Sequence, residues 1–208
     1  MTGVRADYDS KRQAILDAAA VLFAREGYAN VNMADIAKAW GGAKSSLYHY
    51  FPKKEDVLFE IMKEQVQSYL EATEAVIALP SPPEDRLREF VTMWIRKSAE
   101  ARARITVLMY EYKFLSKRQR SVVGNVARTL IQRVSDLVAQ VNPAVTQASP
   151  PRHRTYTLLL FGLLNWTEVW YRSTGPLGPD EMADTIFGLF LGGLRSGVPV
   201  AAMRSARP

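Results

Sequence analysis

The chain has 208 residues, with 27 lysines and arginines against 21 acids, a formal net charge of +6, and no cysteine. That length supports a sizeable core in one or two domains, and the basic balance favours a polyanionic partner such as nucleic acid. The lack of cysteine excludes a disulfide framework, thiol redox chemistry and a cysteine-based zinc site. The first ten residues are polar, without the apolar core of a signal peptide, and the longest apolar run, Tyr156 to Leu164, is too short to span a bilayer. The expectation is a cytoplasmic protein with no membrane partner.

Almost every segment repeats its apolar residues at helical spacing, and no alternating strand pattern stands out. Ser10 with Gln13 reads as a capping box, which starts the first helix there and leaves residues 1–9 as a flexible tail. Ile15, Ala19, Leu22 and Phe23 form its apolar stripe, and Gly27 ends it. Asn32 is a good N-cap for a second helix, with Asp35 three residues on. Gly41 or Gly42 supplies the positive φ of the following turn, and a short third helix runs to Phe51. Pro52 breaks the chain. Glu55 and Asp56 suit the first turn of a long fourth helix that reaches about Leu79. Ser81 with Glu84 caps the next element, and helices are expected near 84–100, 102–115, 117–141, 152–173 and 179–194. Asn142-Pro143 and Ser149-Pro150-Pro151 bracket a loop, and Gly175 to Pro179 form a tight turn.

The second and third helices carry the most specific chemistry. Ala37 is small where the two helices cross, and Leu47, Tyr50 and Phe51 share the face that pins the third helix to the others. Lys44, Ser45, Tyr48 and His49 share the opposite face. A helix that presents small polar, cationic and aromatic groups in this way suits a DNA major groove, with lysine, tyrosine and histidine on phosphates and Lys44 or Ser45 within reach of base edges. Lys53 and Lys54 add charge at the start of the fourth helix, where free amides also favour a phosphate. From Lys38 to Lys54 the segment has four lysines, one histidine and no acid.

Ala34-Asp35-Ile36-Ala37, Gly41, and Lys44-x-Ser46-Leu47-Tyr48-His49-Tyr50-Phe51-Pro52-x-Lys54-Glu55 resemble the N-terminal pattern of the TetR family of bacterial transcription regulators. The resemblance covers roughly residues 10 to 60. It implies an all-α homodimer with an N-terminal three-helix DNA-binding domain containing the helix-turn-helix (1–53) and a C-terminal helical effector-binding and dimerisation domain (54–208). It also implies an operator contact made by Lys44, Ser45, Ser46, Tyr48, His49 and Lys54. The chain departs from the family where Gly42 and Ala43 replace a β-branched residue and a hydroxyl residue, so the third helix lacks its usual hydroxyl cap. Lys53 stands where a capping serine is frequent.

The second domain is rich in large aromatics. Trp94, Tyr110, Phe114, Trp166 and Trp170 suit a ligand cavity or an ordinary core, and Glu111 and Asn165 interrupt apolar stripes as ligand contacts or helix–helix hydrogen bonds. Gly162, Gly188, Gly192 and Gly193 suit close helix approach at a dimer interface or relief of crowding within one subunit. The run from Asn165 to Glu181 resembles a TetR subgroup whose effectors are often CoA thioesters, and eight cations between Arg96 and Arg120 offer phosphate partners. No metal cluster, nucleophile elbow or phosphate loop is present in the sequence, so neither a cofactor nor an enzymatic activity is expected. The reading is a repressor released from a double-stranded operator by a small hydrophobic or CoA-thioester effector, controlling lipid or aromatic-acid catabolism. The alternatives are a regulator without an effector and a helical acyl carrier or enzyme.

Overall fold

The computed structural model describes residues 2–147 and 152–196, and all its regular structure among them is helical. Ten α-helices follow in order: α1 (Thr2–Glu26), α2 (Met33–Trp40), α3 (Lys44–Tyr50), α4 (Lys54–Ile77), α5 (Pro83–Glu100), α6 (Arg102–Tyr110), α7 (Lys117–Val141), α8 (Ala144–Gln147), α9 (His153–Trp170) and α10 (Pro179–Ser196). The expected elements are present with small shifts at their ends. α6 stops at Tyr110 and hands over to a 3₁₀ turn, and α8 adds one turn inside the expected loop. α5 starts at Pro83, a residue preorganised for a first helical position. The tail beyond Ser196 lies outside the described residues.

One expectation fails at the N-terminus. α1 begins at Thr2, so Ser10 lies inside a helix instead of capping it, and the stretch expected to be a flexible tail is helical. Two contacts support the extra turns. Lys11 donates to Asp7 at 2.7 Å in an i,i+4 pair, and the Tyr8 ring stacks on Tyr50.

The chain forms two compact units, Met1–Ser68 with Ala101–Ala127 and Tyr69–Glu100 with Arg128–Pro208. In the first, Ile15, Leu16, Ala19 and Phe23 of α1 meet Ile36 and Ala37 of α2, Leu47 of α3, and Val57, Leu58, Ile61 and Met62 of α4 in one buried cluster. Val107, Leu115 and Val123 join it, which draws α6 and the start of α7 into the unit. In the second unit, α5 packs along α10, with Leu87, Phe90, Val91 and Trp94 buried on one helix and Met182, Ile186, Phe187 and Phe190 on the other. Arg195 bonds Glu84 at one end and Arg96 bonds Asp180 at the other, so the two helices run antiparallel.

Capping is local and strong at α2. The Asn32 side chain accepts from the amides of Ala34 at 2.8 Å and Asp35 at 3.2 Å, and Asp35 accepts from the Asn32 amide at 2.8 Å. A matching box that the sequence reading missed opens α7, where Ser116 and Gln119 exchange the same pair of bonds at 3.0 and 3.2 Å. Replacing Asn32 by alanine should lower stability by about 1 kcal/mol, while aspartate retains most of it. The midpoints of chemical denaturation would show this, and equal midpoints for wild type and Asn32→Ala would contradict it.

Candidate nucleic-acid interface

The turn between α2 and α3 is set by two glycines with different tasks. Gly41 takes the left-handed conformation at φ 81° and donates to the carbonyls of Ala37 and Lys38, closing α2. Gly42 needs its missing side chain for space, because a Cβ there would lie 2.1 Å from the Trp40 ring. Ala43 then caps α3 with no side-chain hydrogen bond, as its sequence implies.

α3 has seven residues and one inward anchor, Leu47, which is fully buried, followed by Phe51 just past the helix end. With those two side chains inside, Lys44, Ser45, Tyr48 and His49 are exposed on the other side and Ser46 is half-buried. These five therefore stand on one short helix, and the tyrosine keeps almost half of its surface open to a partner. Among the described residues no group of three or more histidines and acids is placed to hold a metal.

Lys54 does something other than expected. Its ammonium donates to the carbonyls of Tyr28 at 2.8 Å and Val31 at 2.6 Å, and it lies 4.1 Å from the centre of the Tyr28 ring. It clamps the link between α1 and α2 and is already engaged, so a phosphate would have to compete with two carbonyls. Tyr28 itself sits between Phe23 and Phe114, and burial with the nearby Glu55 carboxylate pushes its phenol up to about 12. Glu111 accepts from the Tyr28 amide at 3.4 Å.

A second set of charges ties α1, α4 and α6 together. Arg12 bonds Glu60 at 2.7 Å and Glu64 at 2.5 Å, and Arg104 bonds Asp17 at 2.8 Å and the same Glu64 at 3.3 Å. Burial alone would lower the Arg12 pKa, but Glu64 and Glu60 outweigh it and raise it. Arg104, largely buried, is thus committed to its own unit, whereas the pair of Arg96 with Asp180 is an exposed one of modest worth.

The seven residues expected to line an effector site are divided between the two units, Tyr110, Glu111 and Phe114 in the first and Trp94, Asn165, Trp166 and Trp170 in the second. Trp94 is buried in an aromatic cluster, 4.1 Å from Tyr69 and 5.1 Å from Phe161 between ring centres. Glu111 and Phe114 support Tyr28 in the first unit, and Tyr110 is exposed there. Asn165, Trp166 and Trp170 face outward on α9, with Trp166 63% exposed. They belong to an uncovered apolar stripe that also holds Leu159 and Leu163. On α10, Leu189 is 68% exposed beside Gly188, Gly192 and Gly193. Among the described residues, a Cβ at Gly162, Gly188, Gly192 or Gly193 would meet nothing within 4 Å, so crowding among them does not explain these glycines.

A seven-residue helix presented outward from a glycine turn, on a core shared with α1, α2 and α4, has the geometry of a helix-turn-helix. Residues 15–61 match the pattern described as bacterial regulatory proteins of the tetR family, and residues 80–194 match the tetracyclin repressor-like C-terminal domain. The chain belongs to the TetR family. It is similar to the HTH-type transcriptional repressor KstR2 of Rhodococcus jostii (strain RHA1), at 27% identity over 89% of this chain and 92% of the relative. A TetR-family transcriptional regulator from Bordetella parapertussis 12822 superposes with a TM-score of 0.81 at 34% identity, covering 86% of this chain and 93% of the other. AibR, in complex with isovaleryl coenzyme A and operator DNA, shares the fold with a TM-score of 0.75 at 23% identity, over 86% of this chain and 97% of the other.

Exchanging Lys54 for methionine should cost about 2 kcal/mol of stability through two lost charge-assisted hydrogen bonds. The salt dependence of DNA binding should stay close to wild type. Denaturation midpoints and binding measured across a salt series separate the two effects, and a flattened salt slope with unchanged stability would return Lys54 to the phosphate.

Proposed function

We propose that this protein is a homodimeric operator-binding repressor whose hold on DNA is loosened by a small-molecule effector, with an acyl-CoA or other CoA thioester as the leading chemistry. The observation that carries the DNA-binding part is the face of α3. Lys44, Tyr48 and His49 serve phosphates and Ser45 and Ser46 stand at the base edges, all exposed or half-buried on a helix anchored by Leu47.

The uncovered stripe on α9 and α10 supports the dimer. Large apolar residues with backbone-close glycines between them are what a helix–helix interface between subunits uses, and an isolated subunit would leave them in water. A two-fold dimer presents two copies of α3 about 34–36 Å apart, one turn of DNA. Asn165, Trp166 and Trp170 thus serve the interface instead of the effector.

One observation supports a thioester: AibR, which shares this fold, is found in complex with isovaleryl coenzyme A. Trp94, an effector candidate in the sequence, is buried with Tyr69, Phe90 and Phe161 beside the Tyr69–Ser98 hydroxyl pair at 2.7 Å, so an acyl group would enter there only if that cluster opens. α4 belongs to both compact units, so a change in its second half reaches Lys54 and its neighbours through one continuous helix. Coupling requires the effector to favour one state over the other. A regulated gene set in lipid or aromatic-acid breakdown follows from this choice of effector.

Selection from randomised duplexes at physiological salt should enrich a palindrome. Isovaleryl coenzyme A and longer or aromatic thioesters should then be titrated against that operator, with free coenzyme A as control. One of them should weaken binding by roughly 5- to 150-fold, and unchanged affinity across the series would exclude thioester control. For the dimer, Leu189→Glu should yield monomers in sedimentation equilibrium at concentrations where wild type is dimeric. A variant that sediments as wild type would move the interface elsewhere.

A further inference from the structure

The operator reading uses α3 but leaves the turns of α1 upstream of Ser10 without a task. Those turns are helical, and they are fixed against the DNA-facing element. The Tyr8 ring lies 4.7 Å from that of Tyr50, nearly parallel at 27°, and Tyr50 is the last residue of α3. Tyr8 is still 44% exposed, so the stack covers only one side of it. Arg5 precedes Tyr8 by three residues and Lys11 follows it by three, which puts all three on one side of α1. Lys11 is held by Asp7, whose hydrogen bond raises its pKa. Arg5 is exposed and has no ion-pair partner among the described residues, although Asp9 stands four residues on.

We propose that the first turns of α1 form a second DNA contact beside α3. Arg5 binds a backbone phosphate flanking the bases that α3 meets, and Tyr8 is the positioning residue that sets Arg5 through its stack on Tyr50. This rests on the operator-binding reading. The chemistry is that of a guanidinium, which matches two phosphate oxygens with parallel donors and stays charged at any working pH. Arg5 has its charge unspent, and the stack supplies what a surface arginine ordinarily lacks, a fixed base one helical turn from the element docked in the groove.

The test measures binding of the full-length protein to its selected operator and to a random duplex of equal length, across a salt series. The set is wild type, Arg5→Ala, Tyr8→Ala and the double variant, each checked for unchanged thermal unfolding. In a two-fold dimer Arg5→Ala removes two phosphate contacts, one per subunit, which should flatten the slope of log K against log salt by about 1.8 and weaken binding roughly thirtyfold near physiological salt, on both duplexes alike. Tyr8→Ala should lose part of the same increment, and adding Arg5→Ala to it should cost clearly less than in wild type. Tyr8→Phe should bind as wild type, since the stack needs the ring alone. An unchanged slope for Arg5→Ala, with wild type bound to its operator, overturns the contact. A slope change of equal size with and without Tyr8 overturns the positioning role. Wild type that binds no duplex at all overturns the operator reading first, and the contact with it.

Discussion

A helix of seven residues does not hold itself together in water, because too few hydrogen bonds repay the cost of its first turn. α3 exists because Leu47 and Phe51 are buried against α1, α2 and α4. That burial also decides what the outside of α3 offers. Once Leu47 points inward, the period of the helix turns Lys44, Ser45, Tyr48 and His49 outward as a set, at a register no single one of them controls. The surface proposed to face DNA is therefore the reverse side of a packing constraint, and a cavity at Leu47 would disturb it without touching any of the residues exposed on it.

The same core explains why the DNA-facing unit draws on distant parts of the chain. Val107, Leu115 and Val123 complete its apolar cluster, and Glu64 is shared by Arg12 of α1 and Arg104 of α6. Arg104 is only 13% exposed on its side chain, so removing its acids would strand a charge largely out of water. Lys54 and Glu111 close on either side of Tyr28 in a comparable way, one on its carbonyl and one on its amide. Three helices and a linker are thus held by shared charges whose partners lie tens of residues apart, and α6 is built into the unit that carries α3.

The second unit presents a different balance. Its α5–α10 pair is closed by buried apolar side chains and framed by exposed ion pairs of modest worth, such as Arg88 with Asp184. Its α9 keeps one face in the core through Leu160, Phe161 and Leu164 and leaves the other, with Trp166 and Trp170, uncovered. An aromatic stripe on a helix announces that a surface will be covered. It does not say whether the cover is the same chain, a ligand or a second copy, and for that reason Asn165, Trp166 and Trp170 admit more than one role.

The amino-acid sequence by itself determined whatever depends on neighbours three or four residues away. The helical plan, the Asn32–Asp35 box, the glycine turn at Gly41 and the two faces of α3 all follow from local periodicity and local hydrogen bonds, and each stands in the structure where the residues place it. The missing hydroxyl at Ala43 was equally legible. Only the tertiary structure decided where long side chains go and what lies across from them. Lys54 turns inward because two carbonyls converge on its ammonium from a turn more than twenty residues earlier. Ser10 lies inside α1, whose earlier turns carry Tyr8 onto Tyr50, forty-two residues on. Glu111 and Phe114 meet Tyr28, over eighty residues upstream. A flexible side chain or a cap signal has several satisfactory local outcomes, and the choice among them is made by partners that folding, and not sequence proximity, brings within reach.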